Sequence, residues 1–315
     1  MQRKVSFVIP AYNEEESLKE LYNQVMDNVN LCVAESLITD YEFLFIDDGS
    51  TDHSVQVMKK LREQDGHVRY IIFRKNFGKS IALQAAFRNV TGDIIVTMDA
   101  DLQDDPAELR NFLLKIDEGA DMVVGWKINR LDPMEKKLPS KLFNMVTAKM
   151  SGLKLHDFDC GYKAFRREVA DSLDVYGEMH RYIPVLAYRN GFNIGEIPVH
   201  HNKRQHGKSK YGMERYMRGL FDFLSITFLS NYHDRPMYFF GRIGFGFFGI
   251  GFLICLYLTV KWFMGIHIGT RPLLQLGVML IFLGVQFLSI GFVGNMLVEL
   301  TVRNQYSEAH IKEKV

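Results

Sequence analysis

The sequence predicts an α/β domain, a parallel sheet with helices on both faces, followed by a two-helix hairpin of membrane-spanning length. Three observations carry this expectation. From Lys4 to Asn89, apolar runs of strand length alternate with helical stretches through short connections. Each apolar run stops at a polar cluster. Past Pro236 the composition turns apolar, and two long stretches carry no charge.

The first strand is expected over Lys4 to Pro10 (KVSFVIP), followed by Ala11-Tyr12-Asn13-Glu14-Glu15-Glu16-Ser17 and a helix from about 18 to 29. Tyr41 to Ile46 (YEFLFI) is the second, ended by Asp47-Asp48-Gly49-Ser50-Thr51-Asp52, with a helix from about 54 to 64. The third covers 68 to 73 and leads through Arg74-Lys75-Asn76-Phe77-Gly78-Lys79-Ser80 to a helix near 81 to 89. The fourth, Ile94 onward, runs into Met98-Asp99-Ala100-Asp101-Leu102-Gln103-Asp104. In open α/β sheets ligands bind beyond the carboxyl ends of the strands. The four polar clusters fall there, so they converge on one crevice.

The fourth cluster sets Asp99 and Asp101 at i and i+2, then the Gln103 amide and Asp104. Crowded carboxylates raise one another's cost of ionisation. A divalent cation resolves this, since Mg²⁺ or Mn²⁺ takes hard oxygen ligands, commonly one or two carboxylates with substrate phosphates. Asp99, Asp101 and Gln103 are the expected ligands. The plainer reading is a solvated loop in which Asp104-Asp105-Pro106 opens a helix. Pro10 and Tyr12 suit the wall of a pocket for a planar base, with Tyr12 stacking. Asp47 or Asp48 suits a base N–H or a ribose hydroxyl, although Asp48-Gly49-Ser50 is also an ordinary turn sequence. Arg74, Lys75 and Lys79 bring positive charge suited to a diphosphate. No G-x-G-x-x-G follows a strand of the soluble part, the one match (Gly244 to Gly249) lying inside the first uncharged run, and no Walker A pattern occurs, which excludes a dinucleotide oxidoreductase or P-loop NTPase by motif.

The 315 residues carry a net charge of +1, so no global field points to nucleic acid. The cysteines, Cys32, Cys160 and Cys255, show no disulfide framework or zinc spacing, which fits a reducing compartment. The amino terminus runs straight into a strand pattern without a secretory apolar segment of the usual length. The uncharged runs, Ile243 to Val260 and Leu273 to Val298, reach roughly 27 Å and 39 Å as helices, against a hydrocarbon core of about 30 Å. Buried core helices usually keep a polar stripe, and these do not. Arg215, Arg218, Arg235 and Arg242 precede the hairpin, and Arg303, Lys312 and Lys314 follow it. The short link holds His267 and Arg271. The positive-inside rule therefore puts the soluble domain and both termini in the cytoplasm of a multi-pass inner or plasma membrane protein. Glycines at 241, 244, 246, 249, 251, 277, 284, 291 and 294 allow close helix contact, within the hairpin or between protomers of an expected homo-oligomer.

VSFVIPAYNEEE, FIDDGSTD, NFGKSIALQAAF and TMDADLQDDP together resemble the inverting glycosyltransferases of family 2. More narrowly, the chain is similar to the polyprenyl-phosphate glycosyltransferases over nearly its whole length, hairpin included. Two further blocks fit. Asp157 to Arg167 (DFDCGYKAFRR) resembles the family's acidic segment, with Asp157 on its usual aspartate and Lys163 in place of an arginine seen in some members. Arg204, Gly207, Ser209, Lys210 and Tyr211 match R-x-x-G-x-S-K-Y.

The resemblance implies a GT-A, Rossmann-like nucleotide-sugar domain over residues 1–211 and an interfacial amphipathic helix region over 212–235. It further implies two transmembrane helices within 236–300, at about 243–264 and 273–298, and a cytoplasmic tail over 301–315. It implies transfer of a hexose from a nucleotide sugar, most simply glucose from UDP-glucose, to undecaprenyl or another polyprenyl phosphate. Mannose, N-acetylhexosamine and aminoarabinose are alternatives. Asp157 and Asp101 are the expected catalytic residues. Pro10, Tyr12, Glu14, Asp47, Asp48, Lys79 and Asp99 are expected at the donor nucleotide. Arg130, Lys137, Arg204, Ser209 and Lys210 are expected at the acceptor phosphate. The basic loop also reads as a solvated loop or as a patch attracted to anionic lipid. A processive polysaccharide synthase would carry Q-x-x-R-W, and neither Trp126 nor Trp262 follows an arginine. A non-catalytic membrane scaffold would keep the fold and lose turnover.

Overall fold

β1 (Lys4–Ala11) is buried along most of its length, Val5, Phe7, Val8 and Ile9 completely. Strands buried on both faces read as continuous apolar runs rather than alternating ones. The computed structural model describes residues 3–128, 134–202, 236–267 and 272–302. After β1 come α1 (Leu18–Ala34), β2 (Asp40–Asp47), α2 (Ser54–Gln64), β3 (Val68–Ile72), α3 (Lys79–Phe87) and β4 (Ile94–Thr97). Then follow α4 (Leu109–Asp117), β5 (Met122–Lys127), α5 (Met134–Ser151), β6 (Lys163–Arg166), α6 (Arg167–Asp171), α7 (Ile183–Arg189) and β7 (Ile194–Val199).

The first four strands lie where the apolar runs place them. α1 continues five residues beyond the expected end, because Val29 and Cys32 extend its buried face. α3 starts two residues early, at Lys79. Gly78 precedes it at φ +92, and the Asp48 carboxylate holds the N–H groups of Phe77 and Gly78.

The seven strands form one sheet in the order β3-β2-β1-β4-β6-β5-β7. The sheet is mixed, which corrects the expectation of a parallel one. β6 runs antiparallel to both β4 and β5, while the other pairs are parallel. The reversal has a structural result. Lys163, the first residue of β6, pairs with Thr97, the last of β4. The loop that feeds β6 therefore lies at the carboxyl end of β4, beside Asp99.

The described residues fall into two units, 3–202 and 236–302. The second is a pair of helices, α8 (Pro236–Phe263) and α9 (Pro272–Val302), long and apolar enough to cross a membrane. Glycines let them approach. A Cβ on Gly251 would lie 2.6 Å from the Gly277 carbonyl oxygen, and one on Gly244 would lie 2.8 Å from that of Gly284. Gly246 and Gly249 meet nothing within 4 Å. Small residues permit this kind of backbone contact in membranes. Gly251→Leu should destabilise the hairpin by about 1–3 kcal/mol through overpacking, and Gly246→Leu should stay within about 0.5 kcal/mol. Helix content during denaturing-detergent titration checks this. Equal midpoint shifts for the two variants would contradict the packing.

Candidate active site

Strand order reverses between β1 and β4, because β2 and β3 lie on one side and β4 on the other. A crevice opens at such a switch point, beyond the carboxyl ends. Here a cavity of about 300 Å³, including solvent at its mouth, is lined by Pro10, Lys79, Thr97, Asp99, Asp159, Lys163 and His180, among others. Pro10 comes from β1, Thr97 and Asp99 from β4 and its exit, and Lys79 from the start of α3. Asp159 and Lys163 come from the acidic loop and β6, and His180 from a short 3₁₀ turn, Met179–Tyr182.

The charges in this crevice are arranged in opposed pairs. Lys79 Nζ lies 2.5 Å from Asp99 Oδ1. Burial opposes both charges, yet each outweighs that cost for the other. The Asp99 carboxyl is held well below the carboxylate range and the Lys79 ammonium above its ordinary value. Burial also opposes Asp159, and Arg181 at 3.7 Å overrides it, keeping that carboxyl low. Lys163 is buried and donates to the Cys160 carbonyl oxygen; burial lowers its pKa. His180 is buried, with Nδ1 3.0 Å from Ser80 Oγ, and burial followed by the Lys79 charge pushes it down to about 3. Lys127 lies 3.1 Å from the buried Asp104 without directed hydrogen-bond geometry, an ion pair that holds the ammonium well above its ordinary value against burial.

The loops after β1 and β2 are laced together. Asn13 N–H donates to Ser50 Oγ at 2.9 Å, Thr51 N–H to Asn13 Oδ1 at 2.8 Å, and Glu14 N–H to Ser54 Oγ at 2.8 Å. The Glu14 carboxylate accepts from Ser17 Oγ at 3.1 Å. Asp48 accepts from Phe77 N–H at 2.7 Å and Gly78 N–H at 2.9 Å. Burial outweighs these bonds and raises the Asp48 pKa. Asp48 therefore ties β2 to α3. Asp47 Oδ2 accepts from Ser50 N–H at 3.1 Å, while its buried Oδ1 has no hydrogen-bond partner among the described residues. Gly49 is required, since its φ is +76 and a Cβ would come within 2.4 Å of the Lys75 backbone. Pro10 and Tyr12 are half-buried.

The segment after β4 turns at Leu102, which adopts φ +59. Gln103 N–H donates to Asp101 Oδ1 at 3.2 Å, and the Gln103 carbonyl accepts from Asn202 N–H at 2.9 Å. A backbone bridge joins Asp104 to His201. Asp99 has Lys79 on one oxygen, and a Cβ on Gly161 would lie 2.6 Å from the other. Among the described residues no three of His, Cys, Asp or Glu converge as a metal set. Asp101 and Gln103 remain as hard oxygen donors, which fits an ion that completes its shell on substrate phosphates. The expected third ligand, Asp99, is here the partner of Lys79.

Asp157 is buried, and its Oδ1 accepts from Asp159 N–H at 3.2 Å. Lys137 lies on α5, with its side chain outside the described residues. Arg130, Arg204, Ser209 and Lys210 lie outside them altogether, as do the interfacial region and the carboxyl-terminal tail from residue 303 onward. Sequence reasoning missed Lys127, Asp159, His180 and Arg181. Asp159 had a signal, two residues past Asp157. Lys127 had only its place at a strand's end, and His180 and Arg181 had none.

The profile of the family described as Glycosyl transferase family 2 matches residues 6–174. The dodecaprenyl-phosphate galacturonate synthase of Rhizobium johnstonii is 35% identical over 318 residues, covering 99% of this chain and 93% of that protein. The undecaprenyl-phosphate 4-deoxy-4-formamido-L-arabinose transferase of Shewanella sediminis is 36% identical over 299 residues, with 93% and 86% covered. Among solved structures, glucosyl-3-phosphoglycerate synthase from Mycobacterium tuberculosis, crystallised with Mn²⁺ and uridine-diphosphate-glucose, superposes at TM-score 0.52 and 21% identity, covering 72% of this chain and 78% of that one. The mannosyl-3-phosphoglycerate synthase from Rubrobacter xylanophilus gives 0.52 at 15% identity, covering 72% and 74%. These structural likenesses are likenesses of fold, the GT-A arrangement.

The buried imidazole has a measurable consequence. His180 is neutral in the folded protein down to about pH 3, whereas in the unfolded chain it gains a proton below about 6.5. Its contribution is full above pH 6.5 and is lost as pH falls from there toward 3. Between pH 6 and 4, His180→Asn should flatten the stability-versus-pH slope by up to about 1.4 kcal/mol per unit. Denaturant unfolding at stepped pH measures it, and an unchanged slope would contradict the assignment.

Proposed function

The chain belongs to glycosyltransferase family 2, and from that premise we propose that it transfers a sugar from a nucleotide sugar to a polyprenyl phosphate, inverting the anomeric carbon. The observation that carries this is likeness over 99% of the chain to an enzyme named for a polyprenyl-phosphate product. The two apolar helices suit an acceptor that resides in a membrane. Glucose, the simplest expectation, has no counterpart in the two relatives compared, whose sugars are galacturonate and 4-deoxy-4-formamido-L-arabinose. The donor is taken to be a UDP-sugar carrying a uronic acid or a formamido or amino pentose. Glucose, mannose and N-acetylhexosamine stand behind it.

In this reading Pro10 and Tyr12 wall the base, and the free oxygen of Asp47 accepts from the base or ribose. Asp48 acts through the loop it holds, as does Glu14. Lys79 faces the diphosphate once the donor arrives. Asp101 and Gln103, with Asp99 beside them, would hold Mg²⁺ or Mn²⁺, which neutralises charge developing on the departing diphosphate. The acceptor phosphate has a second pKa near 6, so it is mostly dianionic at pH 7 and already nucleophilic. Asp157 orients it or takes a residual proton. Arg130, Lys137, Arg204, Ser209 and Lys210 grip it. The catalytic unit and both termini are placed in the cytoplasm, with protomers associating through the hairpins.

The test is a screen of radiolabelled nucleotide sugars with purified protein and undecaprenyl phosphate. Label should enter organic-extractable lipid with one donor, depend on Mg²⁺ or Mn²⁺, and stop on chelation or in Asp101→Ala. Full activity in EDTA would refute the metal role. Donor binding without lipid product from any sugar would favour the scaffold reading.

A further inference from the structure

Outside the crevice, a set of polar contacts gathers on one side chain of β7. Glu196 Oε1 accepts from His156 N–H at 2.7 Å and from Asp157 N–H at 3.2 Å. Its Oε2 lies 2.6 Å from His156 Nδ1. The imidazole is stacked on Trp126, with ring centroids 4.0 Å apart at 15°. From the other side, Asn144 on α5 donates to the His156 carbonyl at 2.8 Å and accepts from Phe158 N–H at 3.3 Å. Three consecutive residues of a loop are thus held by side chains from two elements. Glu196 is largely buried, at 14% exposure, whereas His156 is 64% exposed, so the carboxylate is the fixed end of the pair.

We infer that Glu196 is a positioning residue for the acidic loop, setting the peptide of His156 and Asp157 so that Asp157 and Asp159 keep their places at the site. The same strand leads to the metal-binding segment, through the His201 bridge to Asp104 and the Asn202 bond to Gln103. β7 therefore fixes the spacing between the two acidic segments, one through a side chain and the other through the main chain. A carboxylate suits this task because it accepts two N–H groups and an imidazole together, and charge-assisted bonds of that kind are short and directional. Small misplacement of a reacting group costs up to about a hundredfold in rate.

This inference rests on the transfer reading above, and its test separates the two. Full-length Glu196→Ala and Glu196→Gln are assayed with undecaprenyl phosphate and the donor found in the screen, and amide exchange is followed at residues 156 and 157. Glu196→Ala should lower kcat about ten- to a hundredfold with donor KM within about twofold, and should speed exchange at those two amides. Glu196→Gln keeps an oxygen for both N–H groups, so kcat should stay within about threefold of the parent. Glu196→Asp, one methylene short, stands in with the same expectation should the alanine variant not fold. A Glu196→Ala kcat within twofold of the parent overturns the inference, as does equal loss in the glutamine and alanine variants. Turnover with no donor by the parent protein refutes the transfer reading instead. Unchanged exchange at residues 156 and 157 in Glu196→Ala would then still overturn the clamp.

Discussion

The site depends on the ion pair between Lys79 and Asp99, which meets at the point where strand order reverses. The carboxyl end of β4 gathers Asp99, Asp101 and Asp104 within six residues. Left unpaired, buried carboxylates raise one another's pKa and become neutral. Here each has a specific answer. Lys79 takes Asp99, Lys127 takes Asp104, and Asp101 accepts from the backbone of Gln103. The pairing keeps both the carboxylate and the ammonium charged in a partly enclosed crevice. Both members of the first pair stand at about 31% exposure, so a ligand can reach them.

Much of what reads as ligand-binding motif is scaffold. The Asn-Glu-Glu and Asp-Asp-Gly-Ser stretches bond chiefly to each other, through Asn13, Ser50, Thr51 and Ser54. Asp48 supports the start of α3 and thereby places Lys79, the first residue of that helix. Asp48 in this way bears on the position of a cation that it does not itself touch. Loops at strand ends carry unsatisfied backbone groups, and short polar side chains satisfy them locally. The same residue types suit nucleotide recognition, so the sequence alone does not separate the two uses.

β1, β2 and β4 were legible because they are largely buried on both faces, which leaves an apolar run, and β3, half-buried at the sheet's edge, because its β-branched and aromatic residues stand between turn sequences. β6 and β7 were not. β6 is four residues long and begins and ends in a cation, Lys163 and Arg166. β7 contains Gly195, Glu196 and Pro198, which disguise it. The direction of β6 has no mark in its residues, so the mixed sheet was not legible in the sequence. Asp99, Asp101 and Lys79 were legible because they sit at strand or helix ends beside one another. His180 pairs with Ser80 across 100 residues of chain, and nothing in local sequence announces such a partner.

The central claim is that this crevice holds a nucleoside diphosphate against Lys79 and a divalent ion. Calorimetric titration of UDP, with and without Mn²⁺, into the full-length parent and Lys79→Met tests it most directly. A charge-assisted hydrogen bond contributes roughly 1.5–3 kcal/mol, so the variant should bind UDP about ten- to a hundredfold more weakly when Mn²⁺ is present. The parent should bind more tightly with the ion than without it. Equal affinity in the two proteins, or affinity indifferent to the ion, would contradict the account and move the donor site elsewhere.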